Sequence, residues 1–185
     1  VDYYKIPKFQ RPFCWSIDNY NDLWLDILNV YENNDEENYL FLGALLYVKE
    51  KLNEIQIIDG QQRITTLHIL FWCLYDELSK PNTKNKLSRI ILNDNDEPKL
   101  DVTYQDKDIF LKIRNNEIKE GDLTKNNMSK CYLFFKEKIK VIPDKDDFVT
   151  FLLNKIKIVY IIIDSYNAAW ELFIGLNSKG EPLNP

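Results

Sequence analysis

The stretch Ile57-Ile58-Asp59-Gly60-Gln61-Gln62-Arg63-Ile64-Thr65-Thr66-Leu67 constrains this chain more than any other. β-Branched residues lead into Asp-Gly, and a long segment with apolar residues at helical spacing follows. That order reads as strand, sharp turn, helix. The turn carries a carboxylate, two amides, a guanidinium and two hydroxyls within eight positions. Chain reversal alone needs the glycine and an aspartate, not Gln-Gln-Arg. The free N–H groups of the helix start and the positive end of its dipole would stand beside these side chains, a setting that suits a phosphate. The plainer alternative is a simple turn, with Asp59 as N-cap and Gln61, Gln62 and Arg63 as a solvated first turn.

A second segment favours the polar site. Ile6-Pro7-Lys8-Phe9-Gln10-Arg11-Pro12-Phe13-Cys14-Trp15 again holds Gln-Arg, here between prolines and aromatic residues. Two such pairs in pre-shaped turns suggest one polar site with two arginines aimed at an anion.

The 185 residues suffice for one domain, or for a domain with a small helical annex. A net charge of −5 argues against broad, charge-driven nucleic-acid binding but leaves room for a local basic pocket. Cys14, Cys73 and Cys131 are odd in number and widely spaced, so neither a zinc site nor a disulfide framework is expected, and free thiols point to a reducing cytoplasm. No apolar run long enough for a membrane span and no signal-peptide pattern is seen. The chain reads as a piece of a longer protein. His68 is the sole histidine and sits among Leu67, Ile69 and Leu70, which reads as packing rather than acid–base chemistry.

Along the chain, residues 1–15 read as extended, because Pro7 and Pro12 disfavour helix before them. A helix capped by Ser16 is expected to Glu32, with Tyr20, Leu23, Trp24, Ile27, Leu28 and Tyr31 as its apolar stripe. Tyr39 to Val48 reads as a buried strand whose Gly43 suggests a bulge or the close approach of another group. Glu50 to Asn53 is read as a hairpin connection, Glu54 to Ile58 as the returning strand, and the helix after the turn as running to Ser79. Pro81 to Lys86 reads as a polar break, and Arg89 to Leu92 and Leu100 to Val102 as short strands around the acidic turn Asn93 to Asp96. That turn lacks the glycine and terminal glutamate of a calcium loop. Helices are expected at Asp106 to Arg114, Asn127 to Lys140 and Asp146 to Lys155, then a strand at Lys157 to Asp164 and a last helix capped by Ser165 and ended by Gly180. The fold class is α+β: a small mixed sheet, the strand–turn–helix elbow, and a helical insertion. The expected organisation is a core over 1–102, the insertion over 103–155, and a strand and helix over 156–185 that complete the core.

The ordered strings Ile6-Pro7 to Trp15, Phe41-Leu42-Gly43, Ile58-Asp59-Gly60-Gln61-Gln62-Arg63-Ile64-Thr65-Thr66-Leu67 and Phe173 to Gly180 resemble the N-terminal domain of GmrSD-type proteins over residues 3–183. These are modification-dependent restriction enzymes and related phage-defence proteins. The resemblance implies a ParB/sulfiredoxin-like fold that binds and hydrolyses nucleoside triphosphate, with hydrolysis coupled to recognition of modified DNA. A separate C-terminal nuclease domain would do the cutting, and no His-Asn-His arrangement occurs here to supply it. Carried over, Asp59, Gln61, Gln62 and Arg63 are the expected catalytic residues. Gln10, Arg11, Gly60, Thr65, Thr66, Asn177 and Lys179 are the expected nucleotide-binding ones. Lys179 stands where the family often has arginine, which keeps the charge but loses the planar fork. Magnesium is the expected cofactor, with Asp59 as its ligand or as the group orienting the attacking water, and Gln61 or Gln62 positioning that water. A homodimer is allowed.

Other readings stand beside this one. A DNA-binding module without catalysis could grip phosphates or guanine edges with its Gln-Arg pairs. Phe9, Phe13 and Trp15 would then stack on a base, although core packing is the simpler role for these rings. A toxin–antitoxin or scaffold role, in which the elbow holds nucleotide as a structural ligand, is the third.

Overall fold

The computed structural model describes residues 3–33, 37–51, 54–119 and 126–178. Its elements in chain order are β1 (Tyr3–Lys5), α1 (Ile17–Asn33), β2 (Leu40–Lys51), β3 (Glu54–Asp59), α2 (Gln61–Tyr75), α3 (Pro81–Ile91), β4 (Leu100–Asp101), α4 (Lys107–Arg114), α5 (Asn127–Ile139), α6 (Lys145–Lys155), β5 (Ile156–Ile163) and α7 (Tyr166–Ser178). The strands form one sheet in the order β4-β1-β3-β2-β5. β2 runs antiparallel to β3, while β1 is parallel to β3 and β4, and β5 is parallel to β2. The chain is thus α+β, as expected.

The two faces of the sheet bury different things, because successive side chains alternate. Leu45, Tyr47, Ile55 and Ile57 face the main apolar core, which also takes Trp24 and Ile27 from α1, Ile69, Leu70 and Leu74 from α2, Phe135 from α5 and Phe148 from α6. Leu46, Val48 and Ile58 face the other way, where Ala169 of α7 completes a smaller cluster. Each such fully buried large side chain contributes about 1.5–3 kcal/mol. α2 buries nearly its whole circumference, which makes it the fixed axis of the domain. The helices between 107 and 155 pack into this same core through Phe110, Ile113, Phe135, Phe148 and Leu152.

Two expectations for the middle of the chain are corrected. Residues 81–91 form a helix instead of a polar break followed by a strand. Pro81 opens it, and Thr83, Leu87 and Ile91 recur every four residues as its buried stripe. α2 also ends at Tyr75, short of Ser79. The buried carboxylate of Asp146 at the start of α6 captures the next turn: it accepts Ser79 N at 3.1 Å, Ser79 Oγ at 2.7 Å and Lys80 N at 3.0 Å. That capture depends on a residue more than sixty positions away. The acidic turn is closed by Asn93 Oδ1, which accepts from the amides of Asn95 and Glu97. Leu52 and Asn53 of the expected hairpin connection lie outside the described residues.

Candidate functional site

β3 ends at Asp59, the chain turns at Gly60, and α2 begins at Gln61. Gly60 has φ 86°, in the left-handed region, and a Cβ there would run into the Leu45 side chain. Glycine is therefore required twice over, by conformation and by space. Gly60 itself is the N-cap, and no side chain caps α2. The alternative of an Asp59 cap is thereby set aside, and the helix start keeps its donors for an outside acceptor.

The first loop is stapled to this elbow by glutamines. Gln62 uses both ends of its amide on the loop: Oε1 accepts from Cys14 N at 2.9 Å and Nε2 donates to Pro12 O at 3.2 Å. Gln61 Nε2 donates to Arg11 O at 3.3 Å. In return, Gln10 Nε2 donates to Ile58 O at 2.8 Å. A further anchor comes from buried Asp106, whose Oδ2 accepts Phe13 N at 2.7 Å and Thr103 Oγ1 at 2.8 Å. The two Gln-Arg segments are thus brought together as the sequence suggested.

Their arginines stand in opposite situations. Arg63 reaches back from the first turn of α2 to β2, donating from Nη1 to Leu42 O at 2.5 Å and from Nη2 to Ala44 O at 2.8 Å. Those carbonyls flank Gly43, whose φ of 81° marks the irregularity where the pairing of β2 with β5 shifts register between Phe41 and Ala44. A Cβ on Gly43 would collide with Arg63 Nη1. Both readings of Gly43 hold: it is a bulge, and it admits another group. Arg63 also lies 3.8 Å from Asp59 Oδ2, with the two side chains 29% and 46% exposed. Arg11 is exposed, and among the described residues no acceptor holds its guanidinium.

Gln10, Arg11, Trp15, Ile58, Asp59, Gly60, Gln61, Gln62, Arg63 and Phe173 line one cavity of about 440 Å3. Gln61 is one of the lining residues, and its Oε1 is buried without a hydrogen-bond partner. An orphaned buried acceptor costs about 1–3 kcal/mol unless something donates to it. Asp59 is the one carboxylate among the lining residues, and no group of three or more metal-ligating side chains exists among the described residues. This donor set does not make a protein cage for a cation. It does fit a magnesium ion that arrives on phosphate oxygens and keeps its waters.

Several expected site residues are placed elsewhere. Thr65 and Thr66 are buried in the core side of α2, and Thr66 Oγ1 donates to Gln62 O at 2.8 Å within the helix. Neither lines the cavity, because two successive helical positions past Arg63 have turned toward the core. Phe13 is a core residue, while Phe9 is 65% exposed with its ring 6.3 Å from that of Tyr166. Of the three aromatic candidates, Trp15 alone lines the cavity. Asn177 belongs to the last turn of α7, and Lys179 and Gly180 lie outside the described residues. Two participants escaped the sequence reading. Phe173 opens the last of the resemblance strings but carries no site role there, and nothing in its spacing says that it lines the elbow cavity. Asp106 reads only as the start of a helix.

Residues 1–185, the whole chain, match the family described as the GmrSD restriction endonuclease, N-terminal domain. The chain belongs to the GmrSD N-terminal domain family. Membership supports a role in restriction and phage defence. A search of curated proteins finds no match. No helix among the described residues is long and apolar enough to cross a membrane. In this GmrSD domain, Gln10, Arg11 and Trp15 of the first string and Ile58 to Arg63 of the elbow string supply nine of the ten residues that line the cavity.

Proposed function

We propose that the elbow cavity binds and hydrolyses nucleoside triphosphate, and that hydrolysis is coupled to recognition of modified DNA for a nuclease domain or subunit carried elsewhere. The observation that carries this reading is the convergence of an unheld arginine, an uncapped helix start and the Asp59 carboxylate on one cavity. Arg11 is the cation free to meet the phosphates, and the amides at the start of α2 add fixed donors. Hydrolysis adds water to the γ-phosphorus and breaks its bond to the β–γ bridging oxygen, so the work of the protein is positioning and charge compensation. Gln61 or Gln62 would position the attacking water, since an amide keeps a second lone pair and a second N–H after one bond at each end. Asp59 would hold magnesium directly or through water, and the ion would offset triphosphate charge. Arg63 contributes positive potential from a fixed position and holds the elbow to β2.

The test is phosphate release from ATP, GTP, CTP and UTP with magnesium, wild type beside Asp59→Ala. Release by the wild type and its loss in the variant is the expected result. Equal release by both would remove the elbow from the reaction. If neither binding nor release is seen, the reading passes to the DNA-binding module, which the exposed ring of Phe9 favours. That module would show a steep dependence of DNA affinity on salt.

A further inference from the structure

A second cavity, of about 320 Å3, lies on the core-facing side of the sheet and shares no lining residue with the elbow cavity. Tyr4, Tyr47 and Tyr160 line it together with His68, Arg89 and Lys99, and aliphatic side chains such as Leu45 and Ile64 complete the lining. The Tyr47 and Tyr160 rings are nearly parallel, 19° apart with centroids at 6.1 Å, and Tyr4 tilts against Tyr47 at 5.8 Å. Tyr160 is 63% exposed, so this aromatic ledge is open at its outer end.

Two of the polar side chains, His68 and Arg89, have no hydrogen-bond partner among the described residues. His68 is 3% exposed, its Nδ1 has no hydrogen-bond partner, and among the described residues nothing bonds its imidazole. Burial, with the Lys99 charge nearby, lowers this imidazole to about 4, which keeps it neutral and able to donate or accept. Lys99 Nζ donates to Arg89 O at 2.5 Å, which sets the two cationic residues side by side. Among the described residues no acceptor holds the Arg89 guanidinium. No carboxylate lines this cavity, although the chain as a whole is acidic. A pair of cations without acids beside a buried unpartnered imidazole is an arrangement a folded domain does not need for stability.

We infer that this tyrosine-walled cavity is a second ligand site, taking a planar aromatic ring that carries a phosphate, of mononucleotide size. The ring stacks along the Tyr47–Tyr160 ledge, its edge meets His68, and the phosphate meets Arg89 and Lys99. Its volume stands at the lower end of small-molecule pockets, which suits one base with its sugar rather than a longer ligand.

Calorimetric titration of the chain with AMP, adenosine and inorganic phosphate tests this, in the wild type, Arg89→Gln and Tyr160→Ala. Both substituted side chains are exposed, so the fold should persist, and far-UV circular dichroism checks that it does. AMP binding that weakens at least tenfold in each variant, with adenosine and phosphate each binding more weakly than AMP, is the expected result. Absent AMP binding, binding indifferent to both substitutions, or phosphate binding as tightly as AMP would overturn the inference. Because neither residue touches the elbow, the outcome is independent of whether the elbow hydrolyses triphosphate.

Discussion

The loop around Gln10-Arg11 and the elbow around Gln62-Arg63 carry the same dipeptide and use it in inverse ways. In the elbow both side chains are consumed by the protein's own backbone: Gln62 holds Cys14 and Pro12, and Arg63 holds Leu42 and Ala44. In the loop, Gln10 holds Ile58, while the Arg11 guanidinium is exposed and has no acceptor among the described residues. The elbow is therefore the frame, and the loop presents the charge. An arginine in a motif string is not on that ground a substrate contact. What decides is whether its donors are already used.

The comparison is broken most severely at Gly43. Gly43→Ala places a methyl group where Arg63 Nη1 now lies, at a backbone φ of 81°. Left-handed strain of about 1–2 kcal/mol joins the loss of at least one charge-assisted hydrogen bond, worth about 1.5–3 kcal/mol. The expected cost is about 3 kcal/mol, a fall in Tm of about 6–12 °C in thermal unfolding. Wild-type Tm in this variant would mean that the Arg63 clamp does not hold the elbow.

Gln62→Ala attacks the staple between the two regions. It removes the acceptor for Cys14 N and the donor to Pro12 O, so about 2 kcal/mol of stability should be lost. The loop should also loosen, which hydrogen exchange at the Cys14 amide would register as faster exchange than in the wild type. Unchanged exchange would show that Asp106, through Phe13, holds the loop unaided.

Arg11→Ala should have the smallest effect on stability, within about 0.5 kcal/mol, because nothing in the described structure leans on that guanidinium. On the proposed function it should weaken triphosphate binding tenfold or more, read by calorimetry. A large fall in Tm would show that Arg11 belongs to the frame as well.

Much of this was legible in the sequence where local chemistry decides. The strand–Asp-Gly–helix order, the bulge at Gly43 and the pairing of the two Gln-Arg segments follow from turn rules and from the company each residue keeps. Legibility failed where a distant residue decides. α3 was missed because its buried stripe of Thr83, Leu87 and Ile91 is sparse and its polar start resembles a loop. The early end of α2 depends on Asp146, which captures Ser79 and Lys80 across the fold. Thr65 and Thr66 follow the motif in sequence, yet helical rotation carries them into the core. The free or held state of an arginine is likewise a tertiary fact. Arg63 could be assigned to the strand only once β2 was seen to expose two carbonyls beside a glycine.

Thermal unfolding of Arg63→Ala beside Arg11→Ala, each with and without magnesium nucleotide, tests the central claim most directly. The division into frame and presented charge predicts that Arg63→Ala melts several degrees below the wild type in the absence of nucleotide. It also predicts that Arg11→Ala melts with the wild type and loses the rise in Tm that nucleotide produces. If Arg63→Ala keeps the wild-type Tm while Arg11→Ala falls, the roles of the two arginines are reversed.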